Sequence, residues 1–97
     1  MTVYLDDAQI PWQGKRWCHL YADSLPELEE FARRVDLKPE WLQHPDGKGG
    51  LPHYDVTGSK LTACVQIGAQ RVTSSDGTYR RLRQALTRGE YLMTEEK

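Results

Sequence analysis

His53-Tyr54-Asp55-Val56-Thr57-Gly58-Ser59-Lys60 is the stretch on which the fold turns. An apolar helical pattern follows it at Leu61, Cys64, Val65 and Gly68, so it reads as a short strand entering a helix, with Thr57 or Ser59 near the N-cap. Gln70 to Thr73 then reads as another strand. Strand, helix and strand packed into about twenty residues are short but sufficient for a parallel crossover, which would be right-handed. The same eight residues are the densest in chemistry. Unpaired N–H groups at a helix start suit an anion, and a cation in the first turn opposes the helix dipole by roughly 0.3–1 kcal/mol. Lys60 therefore predicts a negative group nearby, either Asp55 or a bound phosphate. The G-x-x-x-x-G-K-[ST] spacing is missing, which argues against a nucleoside triphosphatase.

Upstream, Val3 and Leu5 alternate with Tyr4 and Asp6 in a first strand. Ala8 to Gly14 reads as connecting chain broken by Pro11 and Gly14. From Arg16 to Ala22, Trp17, His19 and Tyr21 share one face and Cys18, Leu20 and Ala22 the other, which predicts a central strand covered on both sides. Ser24-Leu25-Pro26-Glu27 has the capping-box form, and Leu25, Leu28, Phe31, Ala32 and Val35 make one apolar stripe. Pro39 follows the helix, Trp41-Leu42 is a short anchor, and Gln43 to Pro52 is a glycine-rich loop leading into His53. That loop is expected to act as a lid that orders over a bound anion. Downstream, Ser74-Ser75-Asp76 precedes a last helix with Tyr79, Leu82 and Leu86, closed by Gly89 and followed by a frayed tail over 91–97. The expected architecture is one small α/β domain: about four short strands, mixed or mostly parallel, packed by three helices.

Ninety-seven residues suit one core, and 13 basic against 14 acidic residues give a net charge of −1. Nothing in that balance draws the whole molecule to nucleic acid or to an anionic membrane. Arg80, Arg81 and Arg83 nevertheless gather on the last helix, a basic face open to nucleic acid. No long apolar run or basic leader is visible, so a cytoplasmic protein that does not enter the membrane is expected. Cys18 and Cys64 lie in apolar patterns and read as reduced core thiols. Trp12, Trp17 and Trp41 read as packing residues, Trp12 as the most exposed of the three. Ile10, Trp12 and Tyr91 are large apolar groups outside the expected core, and their pairing predicts a homodimer.

Ligands bind beyond the carboxyl ends of strands in open α/β sheets. Asp6, Asp7, Asp23 and Asp55 all fall at or past such predicted ends. The expected site assigns acid–base chemistry to His19, His53 and Asp55, and ligand binding to Tyr54, Thr57, Gly58, Ser59 and Lys60. Asp6, Asp7 and Asp55 would hold a divalent metal ion as cofactor, although the same rim could work without metal. Taken singly, Asp7 and Asp23 read as turn and cap residues, and His19 as a hydrogen-bonded core histidine.

Val3-Tyr4-Leu5-Asp6-Asp7, Trp17-Cys18-His19-Leu20-Tyr21-Ala22-Asp23-Ser24, Trp41-Leu42-Gln43, His53-Tyr54-Asp55, Ser59-Lys60 and Gly68-Ala69 together resemble the domain-of-unknown-function family numbered four thousand and thirty-one. The resemblance spans about residues 2–73 and leaves the arginine-rich last helix outside. It implies a bacterial or phage origin and marks Asp6, Asp7, His19, Asp23, Trp41, His53, Tyr54, Asp55, Ser59 and Lys60 as pattern residues. It implies no activity. Leu61 departs from the basic residue expected after Ser59-Lys60. From the residues themselves, the expected function is phosphate or nucleotide handling, with metal-assisted hydrolysis as its sharpest form. The alternative is a non-enzymatic module that binds a host protein or nucleic acid.

Overall fold

The computed structural model of the chain describes residues 2–95. In chain order it contains β1 (Val3–Leu5), β2 (Ile10–Trp12), β3 (Lys15–Ala22), α1 (Leu25–Arg34), a 3₁₀ turn (Pro39–Trp41), β4 (Tyr54–Val56), α2 (Gly58–Gln66), β5 (Gln70–Arg71) and α3 (Thr78–Thr87). The class is α/β with a mixed five-stranded sheet.

β3 organises the sheet because one of its residues pairs on both sides: Leu20 faces Leu5 of β1 and Tyr54 of β4, both antiparallel. β5 then adds to β1 in parallel. β4 and β5 therefore run in the same direction with β3 and β1 between them, and α2 makes the crossover. The strand–helix–strand reading holds, but the sheet is more antiparallel than a mostly parallel one. The reason lies in the segment read as connecting chain. Gln13 and Gly14 both have positive φ, 51° and 73°, the left-handed geometry of a tight hairpin turn. They fold β2 back on β3, with Ile10 opposite Trp17 and Trp12 opposite Lys15. Pro11 is tolerated because an edge strand needs no ladder donor on its free side.

The β1 and β2 registers do not match. Between Leu5↔Leu20 and Ile10↔Trp17, the four residues Asp6 to Gln9 face only Cys18 and His19. The surplus forms a bulge, and bulges re-aim side chains. This one turns Asp6 inward.

Helix α1 starts at the expected cap: Ser24 Oγ accepts from the Glu27 N–H and donates to Glu27 Oε1. Leu25, Leu28, Phe31, Ala32 and Val35 are all buried, in one core with Leu5, Leu20, Cys18, Val56 and Cys64. Tyr21 meets Tyr79 of α3 edge-on, with ring centroids 5.5 Å apart. α3 thus covers the Tyr21 end of that sheet face and leaves His19, one pleat earlier, at the margin. The cysteines are free and buried, as the sequence implies.

The frayed-tail expectation fails at its start. The Leu25 N–H donates to the Leu92 carbonyl, and Tyr91 is core, its hydroxyl donating to the Ala22 carbonyl. Tyr91 is therefore unavailable to a dimer patch, whereas Ile10 and Trp12 are exposed. The final two residues of that tail, 96 and 97, lie outside the described residues. No helix among the described residues is long and apolar enough to cross a membrane.

Candidate metal centre

His19 and Asp55 are direct cross-strand partners, so their side chains leave the sheet on the same face. His53 precedes Asp55 by two residues and points the same way. Pleat and register alone thus place two imidazoles and a carboxylate together. One oxygen, Asp55 Oδ1, lies 3.8 Å from His19 Nε2 and 3.6 Å from His53 Nε2. One donor atom from each of the three residues falls within 4.8 Å of the others. Ligands about 2.1 Å from a shared ion stand roughly 3.0–3.5 Å apart. The cluster is a little wider than that.

Each member is held from behind. His19 Nδ1 lies 2.7 Å from Asp6 Oδ2, while Asp6 Oδ1 accepts from the backbone N–H groups of His19 and Ala8. His53 Nδ1 lies 2.9 Å from the Leu51 carbonyl, an acceptor only, so this nitrogen carries the proton. Gln43 Nε2 donates to Asp55 Oδ2 at 3.3 Å. Both rings therefore keep Nε2 free to face Asp55 Oδ1, and the rings stand edge to face at 5.2 Å. Outer hydrogen bonds of this kind fix the tautomer and orientation of metal-binding histidines.

Charge follows the same layout. Burial pushes the Asp6 carboxyl up, but hydrogen bonds from the His19 ring, the His19 N–H and the Ala8 N–H outweigh it and leave the group below its ordinary value. The bond to Asp6 raises His19. Burial lowers His53, favouring the neutral form of its imidazole.

The other expected residues have different employments. Asp7 accepts from the Ser74 N–H, tying the chain after β5 to the end of β1. Asp23 binds the Thr2 N–H and the Tyr4 hydroxyl. It follows β3, and because β3 runs against β1 and β4, its carboxyl end is at the opposite edge from the cluster. The expected convergence of all four aspartates required parallel strands. Tyr54 is buried in the core. Thr57 caps α2 by position only, since its hydroxyl donates to the Arg16 carbonyl. Gly58 and Ser59 are exposed at the helix start. Lys60 Nζ donates to the Val35 carbonyl at the end of α1. Arg80, Arg81 and Arg83 are exposed along α3.

The sequence reading missed His44. Its ring lies 5.7 Å from that of His53, with Nδ1 2.9 Å from the Lys48 carbonyl. The end of the loop expected to be a loose lid is packed: Gly50, Leu51 and Pro52 are buried and Gln43 and His53 exchange backbone hydrogen bonds, while Pro45, Asp46, Lys48 and Gly49 are exposed. At position 50 a Cβ would come within 2.8 Å of the His44 ring, so any larger residue would make that ring shift. Close approach, rather than looseness, explains this glycine.

Two hollows meet at Asp55. A small one of about 170 Å³ lies over His19 beside Ile10, Trp12 and Trp17. A cleft of about 1030 Å³ runs from Trp12 and Trp17 past Asp55 to the start of α2 and to Trp41. Trp41 was read as a packing residue but is 44% exposed.

Residues 3–85 match the family described as "Protein of unknown function (DUF4031)", and the chain belongs to that family. The match extends past the expected limit at residue 73 and takes in most of α3. No curated protein and no solved structure matches the chain.

Proposed function

We propose that this DUF4031 protein is a metal-dependent phosphoester hydrolase whose ion is held by His19, His53 and Asp55. The observation that carries the reading is the three facing donor atoms, each fixed by its own outer partner: the Asp6 carboxylate, the Leu51 carbonyl and the Gln43 amide. Two imidazoles and one carboxylate suit divalent transition ions and leave positions open for water and substrate. A bound ion would acidify water and draw charge from a phosphoryl oxygen.

Phosphate is favoured as the group acted on by the start of α2. Its first-turn amides receive no side-chain cap, because the Thr57 hydroxyl is engaged elsewhere, and the same cleft is lined by Asp55, Gly58 and Ser59. In this assignment Asp6 positions His19, and Asp7 and Lys60 are structural. Free, buried thiols at Cys18 and Cys64 fit a reducing, cytoplasmic setting.

The test is titration of the metal-stripped protein with Co²⁺ and Zn²⁺, followed by turnover of bis(p-nitrophenyl) phosphate. One ion should bind per chain with the d–d absorption of a nitrogen–oxygen Co²⁺ site, and His53→Gln or Asp55→Asn should abolish both binding and turnover. Wild-type protein that binds neither ion defeats the proposal.

A further inference from the structure

The cleft beside the metal cluster has two features that hydrolysis of a bare phosphate ester does not need. The first is aromatic. Trp12 is 59% and Trp41 44% exposed, and both line the cleft together with Trp17. Exposed tryptophans in a 97-residue domain withhold apolar area from the core. The Trp12 and Trp17 rings lie 5.5 Å apart, inclined by 59°, and the Trp17 ring is held by Nε1 donating to the Trp12 carbonyl across the hairpin. Pro11, which precedes Trp12 in β2, removes the backbone donor that a strand from another molecule would need.

The second feature is charge. Lys15 and Arg16 line the cleft beside the tryptophans, and Lys38 sits over the Trp41 ring at 5.6 Å. Of the acidic residues on the cleft wall, Asp55 belongs to the histidine cluster, which leaves Glu40 against these cations. Flat rings for stacking and cations for phosphates, arranged along one groove, are how single-stranded nucleic acid is held without reading its sequence. At about 1030 Å³ the cleft is at the upper limit of roughly 300–1,000 Å³ for small-molecule sites, so it has room for more than one nucleotide.

We infer that the cleft binds a short segment of single-stranded nucleic acid, its bases stacked on Trp12, Trp17 and Trp41 and its phosphates held by Lys15 and Arg16, so that one phosphodiester lies at Asp55. This rests on the hydrolase reading for its chemistry but not for its binding, and the two can be tested apart.

The experiment titrates the full chain with oligothymidylate and oligoadenylate in EDTA, following quenching of tryptophan fluorescence. Cello-oligosaccharides serve as the neutral ligand that would also stack on tryptophan. Both oligonucleotides should quench. Trp12→Ala and Trp41→Ala, at exposed positions, should each weaken binding about fivefold to a hundredfold, the range for loss of one stacked base. The double variant Lys15→Glu/Arg16→Glu should flatten the slope of log affinity against log salt by about 1.4, two phosphate contacts' worth. Quenching by the sugar alone, or oligonucleotide binding unchanged in all three variants, overturns the inference. Co²⁺ titration of the same samples separates the two readings: a cobalt site without oligonucleotide binding rejects only this inference, and oligonucleotide binding without a cobalt site rejects only the hydrolase.

Discussion

Asp6 accepts the backbone N–H of His19 at 2.8 Å through one oxygen and meets the ring Nδ1 of the same residue at 2.7 Å through the other. In an uninterrupted ladder a strand carbonyl would take that N–H. The bulge of Asp6 to Gln9 substitutes a carboxylate, so one side chain fixes both the position of His19 and its tautomer.

Asp6→Asn should therefore separate geometry from tautomer. The amide oxygen can still accept the His19 N–H, but the NH₂ group then faces Nδ1 and moves the ring proton to Nε2, the atom aimed at Asp55. Metal affinity should fall about 10- to 100-fold, the usual cost of losing an outer partner. Calorimetric titration measures the loss, and ¹⁵N spectra of the ring report the proton's position. Unchanged affinity with the proton still on Nδ1 would show Asp6 to be incidental.

The same pair sets a pH signature in the metal-free protein. His19 is raised above 6.5, so its contribution to stability is complete below that value and is lost as pH rises through its folded pKa. Asp6 is lowered below 3.8, so its contribution is present above that value and is lost as pH falls through its folded pKa. His53, lowered by burial, acts in the opposite sense to His19, its contribution fading as pH falls below 6.5. The His19→Gln comparison isolates the pair. The stability difference between wild type and variant should be largest from about pH 4 to 6.5 and should shrink above that range. Metal binding has the reverse slope, because the ion must displace the His19 proton, and it should strengthen with pH through the same range. Urea unfolding at several pH values checks the first part, and a gap that widens toward pH 9 contradicts it.

Much of this was legible in the sequence, for local reasons. Ser24 and Glu27 announce α1 because capping is chemistry within four residues. Alternation from Arg16 to Ala22 announces the central strand because a two-residue period survives any tertiary context. β2 was not legible: Ile10-Pro11-Trp12 carries a residue that strand interiors exclude, and only the edge position makes it acceptable. The site was half legible. His19, His53 and Asp55 were visible as reactive types, but their meeting depends on which residue faces which across β3 and β4, and register is a long-range property. The bulge that makes Asp6 a partner of His19 depends on a mismatch between two pairings and has no sequence signal of its own. His44 was passed over because a histidine in a glycine-rich loop carries no period.

Gly50→Ala tests the packed loop. The new methyl group would meet the His44 ring at 2.8 Å, and that ring is held by its contact with the Lys48 carbonyl. Overpacking of this kind costs about 1–3 kcal/mol. Chemical denaturation should show that loss, and adding His44→Ala should recover part of it by removing the obstructing ring. A Gly50→Ala protein as stable as wild type would mean the loop gives way freely.

Lys60 offers the clearest contrast between what a residue looks like and what it does. By sequence it stands in the first turn of α2 beside the expected anion site, opposed by the helix dipole. In the fold its stem crosses to α1, and Nζ donates at 3.1 Å to the carbonyl of Val35, the residue that ends that helix. A cation at a helix C-terminus interacts favourably with the dipole and satisfies a carbonyl that the helix leaves open. The charge thus joins the start of one helix to the end of another. Lys60→Met keeps most of the stem and removes only the ammonium group. It should cost about 1.5–3 kcal/mol of unfolding free energy, the range for a hydrogen bond from a charged donor. Phosphate and oligonucleotide affinity should change less than twofold. Denaturant midpoints and fluorescence titrations on the same variant decide the matter: full stability with anion binding abolished would return Lys60 to the ligand site.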